Sequence, residues 1–428
     1  MINQGFKVVN NVAHLNYHNL YELAKEYKTP LYVMDEAELN KRCKTFKESF
    51  VGKNFTSTVV YASKAMLVPY IANLMDEYGF YMDSVSLGDL YVAKRCGFPM
   101  EHLVFHGNNK SVQELEYAIS NNVGIIVVDN LEELKILNKM TKDAKKSVNI
   151  LIRMNPGIDA HTHKYIQTST FNSKFGESIY DEKIVDGLLE SLKDAPFINL
   201  KGFHAHIGSQ IHEIEPFLVA VEKMVSFQNM VSEKINKPLS ILNLGGGFGI
   251  KYTKDEKALE LSAVLCTISK ALDKILENTT SSIKEVMIEP GRSIVGPSGM
   301  TLYECDQIKH TFGGKNYLFV DGGMTDNIRP ALYDATYECD VVNKMNNEKE
   351  ILVDIVGKCC ESGDIVRRDI MIPQIERGDI LVVYATGAYN YSMSSNYNNH
   401  LKPAVVLVGK DVKVISRRET LEDLYRLF

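Results

Sequence analysis

Lys64 is the first residue of this chain whose type and position could perform covalent chemistry. It ends the segment Tyr61-Ala-Ser-Lys64, directly after an apolar run, and small residues flank it. A lysine amine at the end of a buried strand can bond covalently to a carbonyl carbon. The position would equally suit a lysine that extends its charge from an apolar surface into water. Lys64 alone therefore leaves a catalytic and a structural role open.

A run of three glycines adds a second chemical element. Gly245, Gly246 and Gly247 follow another apolar run in Ile241-Leu-Asn-Leu-Gly-Gly-Gly-Phe-Gly249. Glycines let backbone N–H groups come close to an anion such as a phosphate, although a glycine run can also be a tight turn. A reactive amine together with a phosphate-binding loop indicates pyridoxal 5'-phosphate as the cofactor.

A carboxylate and two imidazoles complete the first set of candidates. Glu289 lies in Ile288-Glu-Pro-Gly-Arg-Ser293, where it could keep the pyridine nitrogen of the cofactor protonated. The alternative is a surface ion pair between Glu289 and Arg292, which would contribute little stability. His204 and His206 end a further apolar run, so one could stack on the cofactor ring while the other packs structurally.

Eight apolar runs could be the strands that position these residues. They are rich in Val, Ile, Leu or Phe without clear alternation, as in strands buried on both faces. The runs are Thr58–Ser63, Phe80–Ser86, His102–Gly107, Gly124–Asp129, Val148–Arg153, Ile198–His206, Ser240–Leu244 and Glu285–Glu289. Segments with helical spacing of apolar residues separate most of them: Leu67–Glu77, Gly88–Cys96, Val112–Asn121, Leu131–Met140, Ile184–Leu192, Glu215–Ile235 and Lys257–Leu276.

This alternation predicts an α/β fold with a (β/α)8 barrel. In such barrels the chemistry takes place at the carboxyl ends of the strands. Polar or glycine-rich groups fall at those ends in all eight runs: Lys64, Asp83, His106, Asp129, Arg153, His206, Gly245–Gly247 and Glu289–Arg292. We therefore predict one active site at the mouth of the barrel.

The chain of 428 residues is longer than a barrel of roughly 250 residues requires, so we predict a second domain. Strand-like segments dominate after Met300, which indicates a β-sandwich or β-barrel. They are Thr301–Lys309, Tyr317–Asp321, Glu350–Val356, Asp379–Tyr384 and Ala404–Ser416. Short β-like pieces at Phe6–Val9 and Leu31–Val33 indicate that the N-terminal segment joins that β-domain. The predicted boundaries are 1–35 for the N-terminal segment, 36–296 for the cofactor-binding barrel and 297–428 for the C-terminal β-domain.

Composition argues against several other functions. The net charge of −6 is spread over mixed signs, and no apolar run reaches the roughly 18 residues of a membrane span, so we predict neither nucleic-acid nor membrane binding. The seven cysteines and the absence of an apolar leader favour a reduced, cytoplasmic location. His204-x-His206 and His161-x-His163 lack further ligands nearby in sequence, so no metal site is predicted.

A series of motifs in a fixed order extends over nearly the whole chain. These are Tyr61-Ala-Ser-Lys64, Phe105-His-Gly-Asn-Asn-Lys110, Ser173-Lys-Phe-Gly176, His206-Ile-Gly-Ser-Gln210, Gly245-Gly-Gly247, Glu289-Pro-Gly-Arg292, Ile328-Arg-Pro-Ala-Leu-Tyr333, Cys360-Glu-Ser-Gly-Asp364 and Gly387-Ala-Tyr389 through Met393-Ser-Ser-Asn396. In this order they resemble the fold-type III pyridoxal-phosphate-dependent decarboxylases, and most closely the members that act on diaminopimelate.

The resemblance implies roles for the cofactor-binding residues. Lys64 would form the Schiff base with the cofactor, His206 would stack on its ring and Glu289 would pair with its pyridine nitrogen. The phosphate would be held by Ser209 and Gly245–Gly247. The same resemblance includes three further residues among the cofactor contacts: Gly291, Arg292 and Tyr389.

The resemblance also implies a proton donor and a dimer. Cys360, on a loop presented to the active site of a neighbouring subunit, would protonate the α-carbon after CO2 leaves, so that a homodimer shares its active sites. Cys359 is an adjacent thiol, but Cys360 precedes Glu361 as the motif requires.

The implied reaction is the decarboxylation of meso-2,6-diaminopimelate to L-lysine, the last step of lysine biosynthesis. A distal carboxylate is best bound by the planar fork of arginine, which Arg292 and Arg329 supply, with Tyr333 close by in sequence. Glu361 would receive the distal ammonium, and Tyr389 would contact both phosphate and substrate.

Three other functions remain open at this stage. A related decarboxylase could act on D-lysine, ornithine or carboxynorspermidine. An amino-acid racemase would need a second acid–base group on the opposite ring face, and a non-catalytic regulator would have lost cofactor or proton donor. A substrate panel separates the first, and the presence of Lys64, Glu289 and Cys360 disfavours the others.

Overall fold

The structure, a computed structural model, describes residues 5–158, 173–257 and 259–428. The chain divides into two compact units. The sheet unit comprises Met1–Arg42, Ile250–Lys257 and Arg292–Phe428, and the barrel unit comprises Cys43–Gly249 and Ala258–Gly291. His161 and His163 lie outside the described residues. None of the helices in the described part of the chain combines the length and apolar composition needed to cross a bilayer.

The first elements belong mainly to the sheet unit. Their bounds are β1 Phe6–Val9, β2 Val12–Leu15, β3 His18–Asn19, α1 Leu20–Tyr27, β4 Leu31–Asp35 and α2 Glu36–Ser49. Strands β1 to β3 form a small antiparallel sheet. Strand β4 pairs with two strands from the C-terminal half of the sheet unit, which confirms that the N-terminal segment joins the β-domain.

The barrel unit contains nine strands and seven helices among its described residues. The strands are β5 Thr56–Tyr61, β6 Tyr81–Ser84, β7 Leu103–Phe105, β8 Ile125–Val128, β9 Val148–Asn155, β10 Glu177–Ser178, β11 Ile198–His204, β12 Ile241–Asn243 and β13 Glu285–Ile288. The helices are α3 Pro69–Glu77, α4 Leu87–Cys96, α5 Val112–Ser120, α6 Leu131–Ala144, α7 Glu182–Lys193, α8 Glu215–Lys234 and α9 Leu261–Asn278.

Eight of these strands close into a parallel barrel. Neighbours run in the order β9-β11-β12-β13-β5-β6-β7-β8, and the pairing of β8 with β9 completes the circle, while β10 adds to β9 on the side. The predicted (β/α)8 barrel is therefore confirmed, with one strand for each predicted run. A buried apolar cluster that includes Val60, Val104, Val127, Leu151 and Met287 packs among the strands.

Local sequence explains where the barrel helices begin and end. Ser111 and Glu114 form a capping box at the start of α5, and Asn130 caps α6 through the N–H of Glu133. Gly97, in the left-handed region, ends α4. Helix α9 begins at Leu261 rather than at the predicted Lys257, because Ile250–Lys257 belongs to the sheet unit instead.

The remaining elements complete the sheet unit. They are α10 Arg292–Val295, β14 Gly299–His310, β15 Asn316–Val320, α11 Arg329–Tyr333, β16 Cys339–Val341, β17 Ile351–Val356, β18 Ile365–Ile372, β19 Ile380–Tyr384, β20 Ala404–Val408, β21 Val412–Ser416 and α12 Leu421–Tyr425. The main sheet has the order β18-β17-β15-β14-β4-β20-β21, and β19 pairs with β14 and β16. The predicted β-domain is confirmed.

Candidate active site

Lys64 lies on a short 3-10 turn, Ser63–Ala65, that follows β5. Ser63 and Ala65 are buried, whereas the Lys64 side chain is exposed. The buried carboxylate of Asp83, at the end of the neighbouring strand β6, accepts the backbone N–H of Ser63 at 2.6 Å. Asp83 therefore fixes the turn that presents the lysine amine.

Glu289 follows β13, and its carboxylate has three side-chain partners. His106 Nε2 lies 2.7 Å from Glu289 Oε1, and His204 Nε2 lies 3.2 Å from Oε2. Asn243 donates its side-chain N–H to Oε1 at 2.8 Å. All four residues are buried, so the three partners replace the water that an ionised carboxylate would otherwise require.

The electrostatics of this group favour a negative charge. Burial alone would raise the pKa of Glu289, but the imidazoles of His106 and His204 outweigh it and hold the pKa well below its usual range. Burial lowers the pKa of His204 to about 4, even though Glu289 opposes this shift. His204 is therefore neutral at pH 7 and donates to Glu289 as a neutral N–H, which still stabilises the carboxylate.

His106, His204 and Glu289 also have ligand atoms within 4.8 Å of one another, as a metal site would require. Both imidazole Nε2 atoms, however, are hydrogen-bonded to the carboxylate itself. In this arrangement two imidazoles hold the Glu289 carboxylate, and the three groups are not directed at a common metal position. The absence of a metal site stays a prediction.

Two loops form a cradle beside Glu289. Gly246 donates its N–H to His206 Nδ1 at 3.1 Å, which leaves the proton of a neutral His206 on Nε2. Surrounding protein lowers the pKa of His206 well below its usual value, and the charge of Lys64 adds to this shift. Ile211 donates its N–H to Gly247 O at 3.0 Å, so the loop that carries the partly buried Ser209 is joined to the glycine run.

The glycines of the cradle cannot carry side chains. A Cβ on Gly246 would lie 2.1 Å from the carbonyl oxygen of Glu289. Gly247 has φ of +109°, and its Cβ would lie 2.4 Å from Gly208 O. Gly291 is close to the loop after β5, since its Cβ would lie 2.7 Å from the Cβ of Ala62. These short distances show that the loops after four strands, β5, β11, β12 and β13, pack tightly against one another.

These residues fit the predicted cofactor. Pyridoxal phosphate requires an amine, a carboxylate that stays ionised, a flat neutral side chain and backbone donors for a phosphate. The barrel unit supplies them in Lys64, Glu289, His206 and the loop of Gly245–Gly247.

The sheet unit gathers two buried arginines. Arg292 and Arg329 are only 7% and 6% exposed, and each donates to the hydroxyl oxygen of Tyr252, at 2.5 Å and 3.0 Å. Arg329 also donates to the Tyr337 hydroxyl at 2.6 Å. Burial raises the pKa of Tyr337 to about 12, although Arg329 opposes the shift. The phenol therefore stays neutral, and the pocket keeps a positive charge.

Tyr389 and Tyr333 border the same cluster. The Tyr389 ring lies 4.7 Å from the guanidinium carbon of Arg292, and the Tyr333 ring lies 5.8 Å from that of Arg329. Tyr389 has φ of +62°, an uncommon conformation for a tyrosine that often marks a functional position. The predicted substrate residues Arg292, Arg329, Tyr333 and Tyr389 are thus brought together.

Cys360 and Glu361 lie on a separate loop between β17 and β18, and both are exposed. The buried carboxylate of Asp364 organises this loop: it accepts the N–H of Cys359 at 2.8 Å and that of Met324 at 2.6 Å. Burial raises the pKa of the Cys359 thiol to about 12, and the charge and hydrogen bond of Asp364 add to the shift. The two adjacent thiols therefore differ: Cys359 is held by Asp364, and Cys360 points outward.

Sequence reasoning missed several residues of the site. His106 was noted only as a polar residue at a strand end, and Asn243, Tyr252 and Tyr337 were not singled out. Asn243 and Tyr252 flank the glycine run in sequence, so their proximity to a predicted anion site was a usable signal. Tyr337 had no comparable local signal.

Comparisons with known proteins give a consistent result. A family model described as "Pyridoxal-dependent decarboxylase, pyridoxal binding domain" matches residues 36–296. The diaminopimelate decarboxylase of Bacillus subtilis is 42% identical over 95% of this chain and 92% of its own length. That of Halalkalibacterium halodurans is 41% identical over 100% of this chain and 98% of its own.

Solved structures agree. The diaminopimelate decarboxylase of M. jannaschii in complex with L-lysine has a TM-score of 0.91 at 32% identity, covering 99% of this chain and 97% of that one. The Helicobacter pylori diaminopimelate decarboxylase complexed with L-lysine has a TM-score of 0.87 at 32% identity, covering 96% and 99%.

Proposed function

This chain belongs to the diaminopimelate decarboxylase family of fold-type III pyridoxal-phosphate enzymes, and from this premise we propose how its residues carry out the reaction. The enzyme is a carboxy-lyase that converts meso-2,6-diaminopimelate to L-lysine and CO2, the last step of lysine biosynthesis, with pyridoxal 5'-phosphate as cofactor. The observation that carries the assignment of roles is the buried, ionised Glu289, held by His106, His204 and Asn243 beside the glycine cradle.

Lys64, His206, Ser209, Gly245–Gly247 and Glu289 are the residues of the barrel unit that would hold the cofactor, together with Gly291. Arg292 and Tyr389 are two further residues that we propose as cofactor contacts. When bound, pyridoxal phosphate supplies a ring that accepts the electron pair left on the α-carbon as CO2 departs. Lys64 would bind the cofactor covalently, and the exposed amine on its short turn suits that task.

Glu289 would keep the pyridine nitrogen protonated. Its charge is stabilised by hydrogen bonds from His106, His204 and Asn243, of which His204 is neutral at pH 7. A neutral residue in place of Glu289 would leave the ring a weaker electron acceptor. His206, neutral and oriented by the N–H of Gly246, offers a flat face for the ring.

Arg292 and Arg329 would bind the distal carboxylate of the substrate. Both guanidinium groups are buried, and aromatic rings surround them. A buried cation of this kind is stabilised by an anionic ligand, and the arginine fork binds a carboxylate with two parallel hydrogen bonds. Tyr333 and Tyr389 would line this pocket, and Glu361 would receive the distal ammonium.

Cys360 would deliver the proton to the α-carbon after CO2 leaves. We propose that it acts in the active site of a second copy of the chain, so that the enzyme is a homodimer with shared sites. Its exposed position supports this role, whereas the thiol of Cys359 is held by Asp364 with a raised pKa. Glu361, also exposed, would enter the neighbouring site with it.

The domain boundaries also remain a proposal. We assign 36–296 to the cofactor-binding barrel, 1–35 to the N-terminal segment and 297–428 to the β-domain. The family match to 36–296 supports this division. The compact units of the structure differ from it in three places, since residues 36–42, the segment Ile250–Lys257 and residues 292–296 pack with the sheet unit.

Covalent attachment at Lys64 gives the direct test of the cofactor assignment. Wild-type protein incubated with pyridoxal phosphate should absorb in the visible range, and borohydride should abolish that band and add the mass of the reduced cofactor to the peptide that contains Lys64. Lys64→Ala should show neither change. A labelled peptide that contains Lys110 instead would contradict the assignment.

A further inference from the structure

Tyr252 joins the two buried arginines through a single atom. Its hydroxyl oxygen accepts an N–H from Arg292 at 2.5 Å and another from Arg329 at 3.0 Å. The Tyr252 ring lies 5.1 Å from the guanidinium carbon of Arg329, and it packs edge-to-face on Tyr337 at 5.2 Å. All of these residues belong to the sheet unit.

This arrangement has an energetic cost that a purely structural tyrosine would not explain. Arg292 and Arg329 are only 7% and 6% exposed. Their positive charges therefore repel each other in a medium that screens charge poorly. The hydroxyl oxygen of Tyr252 orients both guanidinium groups. Among the described residues no carboxylate forms an ion pair with Arg329. Such a pocket is stabilised by an anion.

A shared acceptor also fixes geometry. Because both guanidinium groups donate to one oxygen, their separation is set by the phenol rather than by the flexible arginine side chains. Preorganised donors lose less conformational entropy when a ligand binds, so the same contacts give higher affinity. Tyr337 adds a second acceptor on Arg329 alone, through the same guanidinium nitrogen, Nη1, that donates to Tyr252.

We propose that Tyr252 is a positioning residue that determines specificity for a distal carboxylate. By holding Arg292 and Arg329 at a fixed separation, it makes a preformed site for this one group of the substrate. The inference rests on the proposed function. It adds to that function the residue that sets the selectivity of the site for the distal carboxylate. It implies that Tyr252 affects carboxylate recognition and leaves the remainder of the ligand unaffected.

L-lysine and cadaverine (1,5-diaminopentane) test this directly, because they differ by one carboxylate. Their dissociation constants would be measured by calorimetry on the holoenzyme of wild type and Tyr252→Phe. The phenylalanine keeps the ring but removes the shared acceptor. We expect Tyr252→Phe to weaken L-lysine binding about tenfold or more, as for the loss of hydrogen bonds to charged groups, and to change cadaverine binding less than about twofold. The KM for diaminopimelate should rise with a smaller change in kcat.

Two controls separate positioning from folding. Tyr337→Phe, which removes a hydrogen bond to Arg329 only, should give a smaller loss for L-lysine, and Tyr78→Phe, in the barrel unit, should give none. Should Tyr252→Phe not fold, Tyr252→Leu, which also removes the shared acceptor and keeps an apolar side chain, takes its place in the same comparison. Equal weakening of both ligands, or an unchanged ratio of their affinities, would overturn the inference. If wild type itself bound L-lysine no better than cadaverine, the proposed distal carboxylate site would fail instead.

Discussion

At the scale of residues, chemical role depends on neighbours that are distant in sequence. Cys359 and Cys360 are adjacent, yet Asp364 holds the first, and the second is exposed. The pKa of Cys359, raised to about 12 by burial and by Asp364, makes it a poorer source of a proton than an ordinary thiol. This difference supports our proposal that Cys360, rather than Cys359, transfers the proton.

Substitution of each cysteine in turn tests that assignment. Cys360→Ala should lower kcat for lysine formation about a hundredfold or more, as for the loss of a general acid, whereas Cys359→Ala should retain most of it. Steady-state lysine release measures the kcat of both variants. Cys96→Ala is the matched control, because it removes a thiol outside the proposed site. A larger loss in Cys359→Ala than in Cys360→Ala would reverse the assignment.

Residue type and order indicated the groups that we propose act directly, but not the residues that hold them. Lys64 and Glu289 each follow an apolar run and therefore stand out in the sequence. Asn243 and Tyr252 were missed because nothing local shows that an amide will reach Glu289, or that a phenol will join Arg292 to Arg329. Such contacts depend on loops brought together by tertiary structure.

At the scale of elements, the loop between β15 and α11 is fixed by a buried carboxyl group. Asp326 accepts the Tyr303 hydroxyl at 2.5 Å and the N–H of Gly323 at 3.0 Å, and Tyr32 on β4 donates to its carbonyl oxygen. Burial raises the pKa of Asp326 to about 7, although these hydrogen bonds oppose the shift. The loop leads directly into Arg329, so its conformation positions one of the two cations.

This raised pKa predicts a pH-dependent stability. A carboxyl group with a higher pKa in the folded than in the unfolded state contributes stability that is full below about pH 4 and lost as the pH rises through about 7. The difference between the pKa values of Asp326 in the folded and unfolded states corresponds to about 4 kcal/mol of unfolding free energy. Relative to Asp326→Asn, whose side chain does not titrate, wild type should therefore lose up to that amount of unfolding free energy between pH 4 and pH 8. Denaturant titrations at several pH values measure it, and parallel curves for the two proteins would contradict the prediction.

Strand and helix predictions succeeded where burial is uniform and failed where it is mixed. All eight barrel strands were found because strands such as β8, with four buried residues, read as apolar runs. Strand β18, Ile365–Ile372, was missed because Arg367, Arg368 and Asp369 interrupt its apolar residues. Strand β16 is only three residues long, and the predicted strand Ala404–Ser416 is a hairpin of two strands.

At the scale of the whole molecule, the proposal requires two copies of the chain. If Lys64 and Cys360 of one active site come from different subunits, a mixture of Lys64→Ala and Cys360→Ala proteins should recover activity after subunit exchange. Random exchange gives half heterodimers, each with one intact site, and hence about a quarter of wild-type activity. Each variant treated alone serves as the control, and a mixture no more active than its components would exclude shared sites.

The measurement that tests the central claim most directly is release of CO2 and lysine from meso-diaminopimelate, beside L-lysine, L-ornithine and D-lysine, by the wild-type holoenzyme. The buried pair of Arg292 and Arg329 predicts a kcat/KM for diaminopimelate that exceeds the others about a hundredfold or more, as for a bidentate ion pair. Preference for any substrate without a distal carboxylate would contradict the account of the site, while leaving the cofactor-binding residues of the barrel as assigned.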